Sequence, residues 1–331
     1  MKAAYQGRYG PPEVVELRDI ERPVPSDGQV LIRVKAASVN RADLDGLKPK
    51  PGFIRLFAGL RAPRSHGVGL DAAGVVETVG PGVTRFRPGD AVMIDMFAAG
   101  QDGGAFAEYV AAREKAFEPI PTGMSFEEAA ALPHSAVLAI QGLRLRSGRT
   151  IQPGDKVLVD GASGNVGPFV VQIAKAMGAE VTGVASGGKL DFVRSLGADH
   201  VIDYRAVDYT KAGKRYDWIV AVDAHHSILR VGRALEPNGV YLTMGGDTGS
   251  IFSALMGSLL LSRFGDQWKG LMLWWKPMHQ PDVDAIKELI AAGKVRPVID
   301  RRYPLSEIVA ALRYVEDGKP SGKVVITVDD D

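Results

Sequence analysis

The sequence predicts an α/β protein in which a doubly wound parallel sheet is inserted within a β-rich domain. Three observations predict it. A strand, a glycine turn and a helix follow one another between Asp155 and Lys175. Strand and helix signals then alternate as far as Met244, the rhythm of a parallel sheet with helices on both faces. Short strand-like runs fill residues 1–120 and return at 323–328, so the β-rich part owns both termini.

The elements are taken in chain order. Residues 14–17, 29–35, 72–79 and 90–94 are apolar, β-branched runs and predict strands. Pro11-Pro12, Pro25 to Gly28, Gly80-Pro81-Gly82 and Pro88-Gly89 punctuate them as turns. Ser125 followed by Glu128 is a capping-box pattern and predicts a helix start. Val157, Leu158 and Val159 predict a buried strand, and apolar positions at helical intervals predict a helix over 166–177. Further elements are expected at 180–185, 189–196, 200–202, 218–222, 228–235 and 240–244. After Gly246 comes an apolar, aromatic stretch, then a helix over 282–292 and a closing strand at 323–328. The expected partition is 1–124 with 272–331 for the β-rich domain and 125–271 for the parallel-sheet domain.

Between strand and helix stand Gly161, Gly164 and Gly167, at Gly-x-x-Gly-x-x-Gly spacing. The first permits a tight turn, the second lets a backbone approach a diphosphate, and the third lets the helix pack close. A helix N-terminus adds N–H groups and a positive dipole end. This is a dinucleotide site of Rossmann type. Its contacts are expected from Gly161, Ala162, Ser163, Gly164, Asn165, Val166 and Gly167.

Composition narrows the function. The 331 residues suit two domains by the prior of ~150 residues each. A net charge of +1 argues against a nucleic-acid partner. No run approaches the ~18–20 apolar residues of a membrane span, and no signal-peptide core follows Met1. The absence of cysteine excludes disulfides, thiolate nucleophiles and cysteine-ligated zinc, and fits a cytoplasmic protein.

Five segments in register carry a family pattern. They are Ala37-Ser38-Val39-Asn40 with Asp43; residues 69–80 followed by 86–90; residues 104–109; the glycine turn with Gln172 and Lys175; and residues 196–204. The closing Gly322-Lys323 also fits. The chain resembles the medium-chain dehydrogenase/reductase superfamily, in its zinc-free quinone oxidoreductase and enoyl reductase branch. The resemblance implies a GroES-like substrate domain around the Rossmann domain, a ligand cleft between the two, and a homodimer. It also adds Gly245 and Lys323 to the cofactor contacts. One departure is Asn165, where the family usually has a second glycine; Asn tolerates left-handed backbone, so the turn is expected to survive.

Zinc-dependent relatives place a Cys near Asn40, a His near Leu70, and a Cys or Asp near His134. Only His134 could coordinate here, and one ligand makes no site. His225, His226 and Asp223 sit at a strand end, where neighbours point apart and make a poor chelate. No metal is expected. Without a Lewis acid, a quinone or an α,β-unsaturated carbonyl suits hydride transfer better than a simple alcohol.

The end of the second strand, residues 181–189, lacks the acid that binds ribose hydroxyls in NAD-preferring sites. Ser186 and Lys189 suit a 2′-phosphate, although both equally serve to open the next helix, and the resemblance adds Tyr204 there. The cofactor expected is NADPH. Asn40, which the resemblance places beside the nicotinamide, and His134 are the candidate catalytic residues; Asn40 equally suits a helix cap. Asp43, Asp71 and Asp95 read as structural or catalytic acids alike, and Ser135 lacks a visible triad. Phe252, Leu255, Met256, Phe264, Trp268, Met272, Trp274 and Trp275 either line a pocket for a hydrophobic substrate or pack an interface. The expected function is an NADPH-dependent quinone or enone reductase. The rivals are an alcohol dehydrogenase or aldehyde reductase and a non-catalytic NADPH-binding protein.

Overall fold

The computed structural model describes residues 1–49, 59–99, 104–144, 148–246, 249–250, 253–254, 257, 268–271 and 278–328. The chain forms two units: Met1–Ser135 with Lys276–Gln280 and Pro297–Asp331, and Ala136–Trp275 with Pro281–Arg296. The boundaries thus fall elsewhere than 124/125 and 271/272. Helix Phe126–Ala130, capped by Ser125 and Glu128 as its spacing predicts, packs on strands Gln29–Val39 and Asp71–Val79. That contact, with the Glu127–Arg302 ion pair, ties it to the β-rich unit. Residues 281–296 join the parallel-sheet unit through Gln172, which exchanges hydrogen bonds with the Arg296 backbone, and through Gln141 to Asp282.

In the β-rich unit a seven-stranded sheet places Ile299–Pro304, Lys323–Thr327, Gln29–Val39, Asp71–Val79, Ala91–Asp95 and Phe117–Pro119 side by side. Tyr109–Arg113 pairs with the first half of Gln29–Val39. Strands from both ends of the sequence therefore share one sheet. Its core collects Val30, Ile32, Val92, Ile94, Phe106 and Phe117, joined by Leu312 from helix Ile308–Glu316. Register matters most at two places: Val324 lies opposite Val39, and Asp71 lies opposite Ser38.

The second unit is a parallel sheet in the order His200–Asp203, Glu180–Ala185, Lys156–Asp160, Tyr216–Ala221, Leu235–Thr243 and Trp268–Leu271. The order reverses beside Lys156–Asp160, and that switch point is where doubly wound sheets bind nucleotides. Val157, Leu158 and Val159 are wholly buried, as expected of a strand covered on both faces. The aromatic set from Phe252 to Trp275 lies outside the described residues, apart from the backbone of Trp268.

The glycine turn forms between strand Lys156–Asp160 and helix Gly167–Ala176. Positive φ within it is confined to Gly161, at 84°. Asn165 needs no left-handed backbone, so its replacement of a glycine is conformationally free. A β-carbon on Gly167 would sit 2.2 Å from the Gly161 oxygen and 2.7 Å from the Ala162 carbonyl carbon. On Gly164 the nearest atom would be 3.7 Å away. Gly167→Ala is therefore expected to cost about 1–3 kcal/mol, because the obstructing atoms are backbone and cannot yield. Gly164→Ala should stay within about 0.5 kcal/mol of the parent. Urea denaturation of both variants checks this, and equal midpoints would overturn the steric assignment.

Candidate functional site

The parallel-sheet unit brings the expected phosphate-loop residues to the ends of its strands. The Gly161 and Ala162 N–H groups donate to the Val184 oxygen, 3.2 and 3.0 Å, which fastens the turn to the second strand. Ala162 and Gly167 are buried, whereas Gly164 and Asn165 are half-buried. Gly245 lies past the end of the fifth strand, its oxygen accepting from the Ala224 N–H and the Thr243 hydroxyl. Ser186 precedes a short 3-10 turn, Gly187–Lys189, and its side chain makes no capping bond there. Tyr204 is 55% exposed beyond the third strand.

Just before the turn, Asp160 is buried and accepts from the Tyr209 hydroxyl at 3.3 Å. Burial raises its carboxyl to about 7, against the opposing charge of His225. His225 itself faces Asp223, while His226 faces Asp208, so the adjacent histidines do part company. Among the described residues no three His, Asp or Glu side chains gather into a group that could hold a metal ion.

The β-rich unit carries a second constellation, built by sheet register. Because Val324 pairs with Val39, Lys323 arrives beside Asn40. Its ammonium donates to Asn40 Oδ1 at 2.7 Å and to Ser135 Oγ at 3.0 Å. Ser135 Oγ donates in turn to Asn40 Oδ1 at 3.2 Å. On the other side, Asn40 Nδ2 donates to Asp71 Oδ2 at 2.9 Å, and the same oxygen accepts from the His134 N–H at 3.2 Å. The amide of Asn40 thus stands with its oxygen toward a cation and its nitrogen toward a carboxylate.

Asn40 is also the N-cap of helix Arg41–Leu47, and its N–H donates to Asp43 Oδ2 at 2.6 Å. The two readings of Asn40, cap and polar-site member, describe one residue. Lys323 is 1% exposed and Asn40 wholly buried. His134 is buried too, stacked at 25° on the Phe97 ring.

Burial is the largest influence on every ionisable group here. It raises Asp43 to about 8, against the bond from the Asn40 N–H. It raises Asp71 to about 6, against the charge of Lys323. Lys323 is pushed down to about 8, with Asp71 and Asp43 acting the other way. His134 falls to about 3, and the Lys323 charge adds to that fall. Its imidazole is therefore neutral across the physiological range.

These features meet known proteins at the level of the whole chain. Residues 26–122 match the family model described as alcohol dehydrogenase GroES-like domain, and residues 196–326 match zinc-binding dehydrogenase. The chloroplast envelope quinone oxidoreductase homolog of Arabidopsis thaliana is 32% identical, over 92% of this chain and 91% of its own length. The chain belongs to the medium-chain dehydrogenase/reductase superfamily. Within it, the chain falls in the quinone oxidoreductase and enoyl reductase branch. The NADPH-dependent alkenal/one oxidoreductase of the same plant is 31% identical, over 98% of this chain and 79% of its own. The structure of the quinone oxidoreductase from Coxiella burnetii superposes with a TM-score of 0.84 at 28% identity, over 99% of both chains. The chain is thus an oxidoreductase of a nicotinamide-using family, and no helix among the described residues is long and apolar enough to cross a membrane.

Sequence reasoning named Asn40, His134 and Lys323 separately, and Asp43, Asp71 and Ser135 without a grouping. The structure brings all six together. The available signal was a lysine opening an apolar strand, which burial makes costly unless a partner waits.

Two measurements follow from the cluster. Lys323→Met strips the cation from the buried Asp71 carboxylate and is expected to cost about 3–5 kcal/mol. Adding Asp71→Asn should restore at least half of that loss in urea denaturation; no recovery would mean the two charges are not coupled. Asp43 keeps a proton in the folded chain up to about pH 8, whereas its ordinary value is 3.8. Its contribution is complete below about pH 4 and lost progressively as pH rises to about 8, at about 1.4 kcal/mol per pH unit. Asp43→Asn should flatten the decline in stability between about pH 5 and 8, and parallel wild-type and variant curves would contradict the buried neutral carboxyl.

Proposed function

We propose that this chain is an NADPH-dependent oxidoreductase that passes hydride to a quinone or an α,β-unsaturated carbonyl without a metal ion. The observation that carries the reading is the state of Asn40. Its amide oxygen accepts from Lys323 at 2.7 Å and from Ser135 at 3.2 Å, which engages both lone pairs. An ammonium ion thus stands where a metal would have to bind that oxygen, and neighbouring Leu70 is a buried apolar side chain with no donor atom. The residues do not fit zinc. An acceptor reduced here must hold negative charge on its own conjugated system.

The cofactor assignment rests on the glycine turn and on the second strand end. Gly161, Ala162, Ser163, Gly164, Asn165, Val166 and Gly167 form the cradle for a diphosphate, and the open space at Gly164 admits a close approach. Ser186, Lys189 and Tyr204 take the 2′-phosphate, with Gly245 bordering the site. The alkenal/one oxidoreductase relative, NADPH-dependent by name, supports the same choice.

Reduced nicotinamide, when bound, supplies the hydride. The hydride goes to the β-carbon of an enone or to a quinone carbonyl system, and a proton from solvent completes the reduced product. His134, held neutral, serves as a hydrogen-bonding group rather than as the acid. Asn40, fixed by Lys323 and Asp71, keeps this part of the site polar and rigid, so positioning and water exclusion supply most of the catalysis. A cytoplasmic homodimer acting on a small hydrophobic substrate completes the reading.

The test follows NADPH absorbance with a panel of quinones, enones, aldehydes and alcohols, with and without chelator. Turnover of quinones or enones that ignores the chelator is expected. Activity confined to alcohols or aldehydes, and lost on chelation, would establish the zinc alcohol dehydrogenase reading instead. Tight NADPH binding with no acceptor would leave a nucleotide-binding role.

A further inference from the structure

The second strand of the parallel sheet ends without the acid that holds ribose hydroxyls, yet the fold delivers a carboxylate to the same place. The third strand, His200–Asp203, runs parallel to the second, with Asp203 level with Ala185. The Tyr204 N–H closes the pairing by donating to the Ala185 oxygen at 3.2 Å. From there the Asp203 side chain reaches over the next residues of its neighbour. A β-carbon on Gly187 would lie 2.6 Å from Asp203 Oδ2 and 3.5 Å from its Cγ, so any side chain at 187 would displace the carboxylate. The other oxygen, Oδ1, accepts from the Arg205 N–H at 3.0 Å and holds the group in place.

This is the corner of the sheet where a nucleotide of this fold presents its adenosine ribose. A carboxylate accepts hydrogen bonds from ribose 2′- and 3′-hydroxyls and repels a 2′-phosphate. Lys189, at the end of the turn that Gly187 opens, and Arg205, whose guanidinium stands 5.8 Å from the Tyr204 ring, bring the opposite charge to the same corner. We propose that Asp203 is a specificity-determining residue of the nucleotide site, binding the ribose hydroxyls of NADH and opposing the 2′-phosphate of NADPH. The chain then uses both nicotinamides, with the preference for NADPH set by Lys189 and narrowed by Asp203. This rests on the NADPH reading above.

The experiment measures binding of 2′,5′-ADP and of 5′-AMP by calorimetry, which needs no turnover, alongside kcat/KM for NADPH and NADH. Asp203→Asn is expected to raise the 2′,5′-ADP to AMP affinity ratio roughly tenfold, the effect of removing one nearby like charge. Gly187→Ala, which pushes the carboxylate aside by its β-carbon and keeps an ordinary backbone, should shift the ratio the same way. Lys189→Ala should shift it the other way. An unchanged ratio in folded Asp203→Asn, confirmed by Gly187→Ala, overturns the proposal. The parent NADPH reading fails separately, if the wild-type chain binds AMP better than 2′,5′-ADP; in that case a rise in the ratio in Asp203→Asn still supports the role of Asp203.

Discussion

A buried ammonium ion cannot be left unpartnered, and the β-rich unit is arranged around that constraint. Lys323 is 1% exposed, and removing such a charge from water costs several kcal/mol even after relaxation. The cost is offset by Asn40 Oδ1 and Ser135 Oγ in direct contact, and by the Asp71 carboxylate across the Asn40 amide. The amide dipole points along the line between the two charges, so each end stabilises the other through it. None of the three partners is interchangeable with an apolar residue while Lys323 stays charged.

Sheet register makes the constellation possible. Lys323 precedes Val324, which pairs with Val39, so the last strand of the chain delivers its cation next to Asn40. Asp71 pairs with Ser38, which brings the balancing carboxylate to the other end of the same amide. A slip of one residue would turn Lys323 to the other face and expose both charges to the wrong environment. The site is not fully satisfied, however: Ser38 Oγ, Asp43 Oδ1 and Asp71 Oδ1 are buried without hydrogen-bond partners among the described residues.

Local pattern made much of this legible. The strand at Lys156–Asp160, the glycine turn, the capping box at Ser125 and the alternation behind them follow from periodicity and turn chemistry, and the structure holds each. Strands Tyr109–Arg113 and Ile299–Pro304 were not legible, because their pairing partners lie well away in sequence. The polar cluster failed the same way. Asn40, Asp71, Ser135 and Lys323 are spread over most of the chain; antiparallel register makes neighbours of Asn40, Asp71 and Lys323, and the start of a helix brings Ser135 to them. Asp203 was hidden for a related reason, since the rule for cofactor choice inspects the second strand and the carboxylate comes from the third.

The first turn of the helix behind the glycine turn has few free donors. Pro168 has no N–H, and the Phe169 and Val170 N–H groups already donate to the Val166 oxygen. Asp160, immediately before the turn, is buried, and burial raises its carboxyl to about 7. In the proposed reading, discrimination between the two nicotinamides falls to the adenosine end of the site. There, Lys189 closes the short turn after the second strand, and Arg205 follows Asp203 at the end of the third. On that proposal, cofactor choice is set less by the glycines that announce the site than by the charges of Lys189 and Asp203 at its far corner.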